Sequence, residues 1–434
     1  MKKEQKCAKE MLEFIEKSPT CFQTIRNVRQ RLEKEGFQEL VETQVWKLDE
    51  GKGYYVTRND SSLIAFRVPG NREVKEKHPT GFHIVAAHSD SPTFKIKENP
   101  EISVEDHYIK LNTEKYGGMI LSTWMDRPLS VAGRIAVREK NGVVTKLVHI
   151  DKDLLVIPNV AIHMNRDMNK GVEYNPQIDL LPLYADGTES QGKGALLKLV
   201  AREAGVAENA ILGHDLFLYV HDKGRILGEN GEFVLSSRLD DLQCVYTAVQ
   251  AFAESTPKEY IDVCAIFDNE EIGSGTKQGA DSTFLEDTLS RVAEAFGIKD
   301  AAYKQLLAGS FLISADNAHA VHPNHPEKAD PTNRPYLNGG VVIKYHGAQK
   351  YTTDAVSAAY MKAICMEAGV PYQTYANRAD IPGGSTLGNI STAHVSVPSV
   401  DIGLPQLAMH SAVETAGVLD TEYGIRALRY FYGQ

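Results

Sequence analysis

The sequence predicts an α/β protein: a largely parallel, doubly wound sheet with flanking helices, into which a β-rich domain is inserted. Short apolar runs typical of buried strands alternate with segments of helical spacing, and this alternation predicts the parallel sheet. From residue 95 to 233 the pattern changes to short alternating runs between Gly, Asn and Asp turns, which predicts the insertion. We therefore expect a main domain of residues 1–94 and 234–434 and an inserted domain of residues 95–233.

Length, composition and charge limit the class of protein. A chain of 434 residues is too long for one ordinary core and favours two domains. Its 42% hydrophobic and 24% charged residues are typical of soluble globular proteins. The net charge of −10, without a basic patch, argues against nucleic acid as a partner.

The sequence also predicts a cytoplasmic protein that does not enter a membrane. No stretch approaches the roughly 20 apolar residues that span a bilayer, and the charged segment Met1–Cys7 lacks the apolar region of a secretory signal. Because the cysteines are scattered without C-x-x-C spacing, we expect reduced thiols in the core and no cysteine ligands for zinc. The five cysteines are Cys7, Cys21, Cys244, Cys264 and Cys365.

The first predicted elements are two helices within residues 1–36, separated at Ser18–Thr20. Two strands follow, around Tyr54–Thr57 and Leu63–Val68. The next run, Phe82–Ala87, is mostly apolar and ends at a polar cluster. That pattern is typical of a central strand buried on both faces.

In the inserted domain, the runs Gly133–Arg138 and Val143–Val148 flank Asn141-Gly142, a dipeptide that predicts a hairpin. One helix near Gly194–Ala204 interrupts the strands. From Leu235 onward helices and strands alternate again, as expected for a parallel sheet with helical crossovers. The predicted elements there are a helix near Leu242–Glu254, the strand Ile261–Phe267, helices within residues 281–307, the strands Phe311–Ser314 and Val341–Tyr345, a helix over Thr353–Ala368, the strand Ser399–Ile402 and a helix over Thr421–Tyr432.

Several of these strands end in acidic or imidazole side chains. His88 follows the run Phe82–Ala87, for example, and Glu270 closely follows the strand Ile261–Phe267. In open α/β sheets, ligands bind at the carboxyl ends of the strands. We therefore expect one rim to hold His88, Asp90, Asp240, Glu270, Glu271, Asp316, His319 and His410.

This set of donors predicts a centre of two divalent metal ions. So many carboxylates in one crevice repel one another unless cations lie between them. Two histidines with three or four carboxylates suit zinc first, with cobalt and manganese as alternatives, and two ions about 3.5–4 Å apart form a recurrent hydrolytic centre. Glu270 and Glu271 are adjacent, so one could bind metal while the other acts as general base. Taken singly, each acidic pair could also be a solvated turn.

With these residues assembled, the chain resembles the M18 family of metallopeptidases, the aspartyl aminopeptidase-like enzymes. The matching segments extend from about residue 55 to 415, and their order and length make the resemblance specific. They are Ala87–Pro92, Ser237–Asp240, Asp268–Ser274, Ser314–Asn324, Asp401–Gly403 and Gln406–Ser411, with smaller matches at Tyr55–Ser61 and Ala161–His163.

The resemblance implies a role for each residue of the site. Glu270 would be the general base, and Asp90 would orient the imidazole of His88. The implied metal ligands are Asp240 as the bridge, His88 and Asp316 in one coordination sphere, and Glu271 and His410 in the other.

The resemblance also implies substrate contacts and self-association. His163, in the inserted domain, resembles a histidine that reaches into a neighbouring subunit's active site, and His319 resembles one that contacts the substrate. Lys344 could pair with an acidic side chain of the substrate, although a strand lysine can equally face solvent. The family assembles from dimers into a tetrahedral dodecamer, so the insertion would be a dimerisation domain and the main domain would be catalytic.

The predicted function is therefore that of a two-metal aminopeptidase, which removes the N-terminal residue of peptides and could prefer Asp or Glu there. Another two-metal amidohydrolase, a carboxypeptidase or an N-acyl amino acid deacylase, would share the ions and the base but bind a carboxylate or an acyl group. A non-catalytic metal-binding assembly protein is a further alternative, which the presence of Glu270 disfavours.

Overall fold

The computed structural model describes residues 3–70 and 79–434, and within these ranges the chain forms ten α-helices and twenty β-strands. The helices are α1 (Lys3–Glu16), α2 (Cys21–Lys34), α3 (Glu189–Gly192), α4 (Ala195–Ala204), α5 (Leu239–Ala253), α6 (Phe284–Ala295), α7 (Asp300–Ala308), α8 (Ala355–Glu367), α9 (Leu387–His394) and α10 (Asp420–Tyr432). The first ten strands are β1 (Gln38–Glu39), β2 (Gly53–Arg58), β3 (Ser62–Arg67), β4 (Phe82–His88), β5 (Thr93–Val104), β6 (Tyr108–Tyr116), β7 (Leu129–Glu139), β8 (Gly142–His149), β9 (Leu183–Asp186) and β10 (Ile211–Val220). The remaining strands are β11 (Arg225–Leu227), β12 (Phe233–Ser236), β13 (Ile261–Phe267), β14 (Phe311–Ala315), β15 (Ala318–His319), β16 (Val341–Tyr345), β17 (Tyr372–Ala376), β18 (Ser399–Gly403), β19 (Pro405–Leu407) and β20 (Glu414–Gly417).

The main sheet has nine strands in the order β1-β2-β3-β13-β4-β14-β18-β16-β17. Five of its eight strand pairs are parallel, including both pairs made by the central strand β4. Parallel strands need crossovers, and the helices between them supply these. The α/β class and the largely parallel sheet predicted from the sequence are confirmed.

Helices cover both faces of the main sheet. On one face, α1, α2, α5, α8 and α10 contribute to a core that contains Val85 and Ala87 of β4. On the other face, α6, α7 and α9 contribute to a core that contains Ile84 and Ala86. Because alternate side chains of a strand point to opposite faces, a strand covered on both sides must be apolar at every position that meets a core. All seven residues of β4 are buried.

A second sheet, built between Thr93 and Val220, has six strands in the order β8-β7-β10-β5-β6-β9. Its neighbouring strands are antiparallel, and it has its own hydrophobic core, to which α4 contributes. The hairpin β7–β8 turns at Lys140-Asn141, with Glu139 paired to Gly142. A third sheet, in the order β11-β12-β20-β19-β15, joins β12 to strands from the end of the chain.

The chain changes sheet shortly before His410. β18 ends at Gly403, and β19 begins at Pro405 in a different sheet. The backbone passes very close to the end of β14 here, since a Cβ on Gly403 would lie 2.2 Å from the carbonyl oxygen of Asp316. Only glycine permits that approach.

The cysteines are free and buried at all five positions, as the sequence predicts. Within the described ranges, none of the helices combines the length and the apolar character that a membrane crossing requires.

Candidate metal centre

The predicted site residues meet at the carboxyl edge of the main sheet. His88 ends β4, Asp240 lies in the first turn of α5, and Asp316 follows β14 directly. Glu270 and Glu271 start a short 3-10 turn after β13, and His410 follows β19. These side chains surround one cavity of about 270 Å³, which is lined by His88, Asp240, Glu270, Glu271, Asp316 and His410.

Asp240 lies between the two histidines. Its Oδ1 is 3.7 Å from Nε2 of His88, and its Oδ2 is 3.3 Å from Nε2 of His410. On the outer sides, Asp316 Oδ1 is 3.9 Å from Nε2 of His88, and Glu271 Oε2 is 3.3 Å from Nε2 of His410. The donors thus form three overlapping groups, each with its candidate ligand atoms within 4.8 Å of one another. Two of them share Asp240, one with His88, Asp241 and Asp316 and the other with Glu271 and His410; the third joins His88 to Glu270 and Glu271.

The imidazole of His88 is oriented by Asp90. Its Nδ1 is 3.1 Å from the carbonyl oxygen of Asp90 and 3.4 Å from Oδ1 of the same residue. Both neighbours are acceptors, so Nδ1 carries the proton and the Nε2 lone pair faces the cavity. That is the tautomer that a metal ligand requires.

Asp90 also fixes the turn that carries the two glutamates. Its Oδ1 accepts a hydrogen bond from the backbone N–H of Glu270 at 3.1 Å, and its Oδ2 accepts one from that of Glu271 at 3.2 Å. One buried residue therefore contacts the ring of His88, chiefly through its carbonyl oxygen, and holds the glutamates through its carboxylate.

The donor set fits a bound cation. Oδ1 of Asp240 and Oε1 of Glu271 are buried without a hydrogen-bond partner, which is costly for a carboxylate unless a cation compensates. Burial is also the main reason that the pKa of Glu270 rises to about 8, that of Glu271 to about 7 and that of Asp316 to about 6. Imidazole and carboxylate donors of this kind suit zinc.

Two further carboxylates support the site and were not assigned a role from the sequence. Glu414 accepts hydrogen bonds from the backbone N–H groups of Asp240, at 3.0 Å, and His410, at 2.8 Å. Asp241 accepts one from the N–H of His88 at 3.1 Å. A lone acid within the apolar run Ala412–Leu419 was the only signal for Glu414 in the sequence, whereas Asp241 was visible beside Asp240.

The cavity is also lined by Lys344, His319, Tyr351 and Tyr375. Lys344 is only 2% exposed, so the alternative of a solvent-facing strand lysine is wrong. Its Nζ is 3.5 Å from Oδ2 of Asp316 and 5.4 Å from the ring centre of Tyr351. Burial would lower the pKa of Lys344, but Asp316 and neighbouring groups raise it above its usual value.

His163 is not brought to this cavity. It lies exposed in the connection between β8 and β9, and it is absent from the described residues that line the cavity. The structure of one chain therefore gathers nine of the ten predicted site residues, if Asp90 behind His88 is included, and leaves His163 on the surface.

A sheet of this type with imidazole and carboxylate donors around a cavity at its carboxyl edge defines a metal-dependent hydrolase. Comparison with known proteins gives the family. The sequence model of the aminopeptidase I zinc metalloprotease family (M18) matches residues 14–432, and the chain belongs to that family. The protein is a metallo-aminopeptidase.

Relatives match over the whole chain. The probable M18 family aminopeptidase 2 of Clostridium novyi (strain NT) is 49% identical over 435 residues, covering 100% of both chains. Among solved structures, a chain in the cryo-EM structure of the Ape4 and Nbr1 complex has a TM-score of 0.94 and 37% identity, covering 99% of this chain and 86% of that one. The mApe1 dodecamer of S. cerevisiae has a TM-score of 0.85 and 26% identity, covering 99% of this chain and 96% of that one.

Proposed function

We propose that the protein is a two-metal aminopeptidase that removes the N-terminal residue of peptides. The observation that carries this proposal is the position of Asp240, whose two carboxylate oxygens face His88 on one side and His410 on the other. A carboxylate placed between two imidazoles in this way is suited to bridge two cations.

Each ion would have its own set of ligands. His88, Asp240 and Asp316 would hold one, and Asp240, Glu271 and His410 would hold the other, with zinc as the first choice and cobalt or manganese as substitutes. When bound, such ions lower the pKa of a coordinated water and polarise the carbonyl of the scissile bond.

Glu270 is the proposed general base. The carboxylate of Glu271 is engaged by His410, whereas Glu270 lines the cavity beside it, and Asp90 holds the backbone N–H groups of both residues. The Glu270 carboxylate would take a proton from the attacking water and return it to the leaving amine.

We propose that the same cavity favours an acidic N-terminal residue. Lys344 supplies a buried ammonium group to the cavity, 3.5 Å from Oδ2 of Asp316 and 5.4 Å from the ring centre of Tyr351, and His319 lines the same cavity. The loop residues Gly384–Thr386 line it as well. A cationic group in a buried pocket favours an anionic side chain.

We also propose a cytoplasmic homo-oligomer in which residues 95–233 form the dimerisation domain and dimers assemble into a dodecamer. The exposed apolar side chains of Val160, Ile162 and Met164 flank His163 and suit a contact with a second copy. They lie within residues 95–233, here called the six-stranded-sheet domain. Buried free thiols suit a reducing compartment. The dodecameric relative supports the assembly.

The experiment that tests the proposed function is a substrate panel assayed with zinc, cobalt and manganese. It contains the p-nitroanilides of Asp and Leu, an N-acetylated peptide and a dipeptide with a free C-terminus. We expect turnover only of substrates with a free α-amine, with Asp ahead of Leu. Turnover confined to the N-acetylated peptide would contradict the proposal.

The variant Glu270→Gln identifies the base. Because a general base contributes about 10²- to 10⁴-fold, we expect kcat to fall by that order while the zinc content stays at the wild-type level. Glu203→Gln, on the exposed side of α4, is the matched control and keeps wild-type kcat. Wild-type kcat in Glu270→Gln would remove Glu270 from the role.

A further inference from the structure

One segment of the six-stranded-sheet domain touches three of the loops that carry the metal centre. This segment, Tyr116–Thr123, begins at the last residue of β6 and runs into a 3-10 turn at Leu121–Trp124. Tyr116 lies in the six-stranded sheet, whereas His88 and Asp316 are positioned by the main sheet and His410 follows a strand of the third sheet. The contacts of the segment involve Asp90, Glu271 and the loop after His410.

Tyr116 makes the first contact. Its hydroxyl donates a hydrogen bond of 2.7 Å to Oδ2 of Asp90 and accepts one of 2.8 Å from Nδ2 of Asn269. Among the described residues, Oδ2 of Asp90 accepts one other hydrogen bond, from the backbone N–H of Glu271. The hydroxyl therefore adds to the two N–H groups that restrain the carboxylate, whose other oxygen faces Nδ1 of His88.

The next residue packs directly on a proposed ligand. Gly117 has a φ of +78°, and a Cβ placed on it would lie 3.2 Å from Cβ of Glu271. A side chain at this position would therefore be strained and would crowd Glu271. Because Gly117 has no side chain, the segment can stay in contact with the turn that carries the two glutamates.

Two backbone hydrogen bonds complete the contacts. The N–H of Ile120 donates to the carbonyl oxygen of His410 at 3.0 Å. The hydroxyl oxygen of Thr123 accepts from the N–H of Ala412 at 2.9 Å and donates to the carbonyl oxygen of Ile120. The loop that presents the imidazole of His410 is thus held from the same side as Asp90.

We propose that the segment Tyr116–Thr123 positions the metal ligands and that Tyr116 is its principal positioning residue. The second domain then determines how tightly the main domain holds its cations. Without the hydroxyl, Oδ2 of Asp90 keeps one of its two hydrogen-bond donors, so the carboxylate that holds the turn of the glutamates and faces the ring of His88 is positioned less firmly. Groups that orient a metal ligand through such hydrogen bonds change metal affinity by about 10- to 100-fold.

The test compares Tyr116→Phe with Tyr219→Phe. Tyr219 lies in the same sheet, and its hydroxyl also makes a buried hydrogen bond, to the carbonyl oxygen of Ile150 at 2.9 Å, but it does not reach the ligands. Zinc affinity is measured by competition with a chromophoric chelator, alongside the urea midpoint of each variant. We expect Tyr116→Phe to bind zinc at least about 10-fold more weakly, with kcat reduced and KM nearly unchanged, and Tyr219→Phe to bind zinc like the wild type.

A second pair keeps the test decisive if Tyr116→Phe folds poorly. Thr123→Val removes the acceptor for Ala412 and should weaken zinc binding, whereas Thr123→Ser retains the hydroxyl and should not. Wild-type zinc affinity in folded Tyr116→Phe or Thr123→Val overturns the inference.

Because the inference rests on the proposed metal centre, His88→Ala is measured in parallel. If His88→Ala still holds two zinc ions tightly, the proposed centre itself fails; if only His88→Ala loses zinc, the centre stands and the role of Tyr116 does not.

Discussion

The carboxylates of the site differ in what their oxygens touch. Asp240, Asp241 and Glu271 each keep one buried oxygen without a hydrogen-bond partner, a cost that a bound cation would compensate. Asp90 and Glu414 instead accept hydrogen bonds from backbone N–H groups of the ligand-bearing loops. A buried carboxylate satisfied by N–H donors is suited to hold its neighbours in place rather than to bind metal.

This division explains which site residues could be predicted from the sequence. An apolar run that ends in His or Asp is a local signal, and it identified His88 and Asp316. Tyr116 bonds to a residue 26 positions earlier, and Glu414 bonds both to the nearby His410 and to Asp240, 174 positions earlier. No local pattern records the two distant pairs, so only the fold reveals them.

The choice between an acidic and an apolar N-terminal residue is expected to depend on one side chain, that of Lys344. A hydrogen-bonded partner to a charged group contributes about 1.5–3 kcal/mol, so Lys344→Met should lower kcat/KM for Asp p-nitroanilide by about 10- to 150-fold and leave the Leu substrate much less affected. Zinc content is measured as well, because Lys344 also faces Asp316. Lys362→Met, on α8, is the control, and it should change neither kcat/KM for Asp p-nitroanilide nor the zinc content. Equal losses for Asp and Leu would show that Lys344 does not select the substrate.

At the level of elements, β4 is the rigid support of the site. Its alternate residues enter the cores on the two faces of the sheet, and it is paired on both sides to parallel strands, so its last residue, His88, has little freedom. This element could be predicted because a strand buried on both faces must be apolar. Two other elements, β17 and α9, could not be predicted from the sequence. β17 is a short, half-buried edge strand that depends on β16 for its pairing, and α9 contains Gly, Asn, Ser and Thr, which are weak helix formers.

A second histidine of β4 gives a prediction about pH. His83 is 1% exposed and stacks on Tyr260 with ring centres 3.6 Å apart, and burial lowers its pKa to about 3. In the unfolded chain the imidazole of His83 binds a proton near pH 6.5, whereas in the folded chain it stays neutral down to about pH 3. The free energy of unfolding therefore falls as pH falls through that window, by about 2 kcal/mol between pH 6 and 4.5 from this group alone.

Urea unfolding of the wild type and of His83→Gln at several pH values measures this contribution. The variant starts with a lower free energy of unfolding, but its loss between pH 6 and 4.5 should be smaller by about 2 kcal/mol. Asp262, paired in register with His83 on β13, titrates in both proteins and cancels in the difference. Parallel curves for the two proteins would show that His83 does not titrate in this window.

At the level of the whole molecule, the exposed position of His163 matters most. It lies among exposed apolar side chains, of which Met164 is 83% exposed, and it is not among the described residues that line the cavity of its own chain. The resemblance to the family could place this histidine at a neighbouring subunit, but no feature of the sequence alone could do so, because surface patterning does not reveal how copies assemble.

Complementation tests whether His163 acts in a neighbouring subunit. His163→Ala keeps Glu270, and Glu270→Gln keeps His163, so a mixed dimer restores one complete site. Co-expression of these two low-activity variants should give about a quarter of wild-type activity if the subunits pair at random. Co-expression of His163→Ala with the double variant is the control and should stay low. Mixed assemblies without any gain in activity would contradict a role for His163 in a neighbouring subunit.

We propose that the residues around Asp240 hold two metal ions. Anomalous diffraction at the zinc edge, from crystals of the zinc-loaded protein, locates such ions without an assay of activity. We expect two peaks in each chain, about 3.5–4 Å apart, one between His88 and Asp316 and one between Glu271 and His410, with the Asp240 carboxylate reaching both. A single peak, or peaks away from these residues, would contradict it.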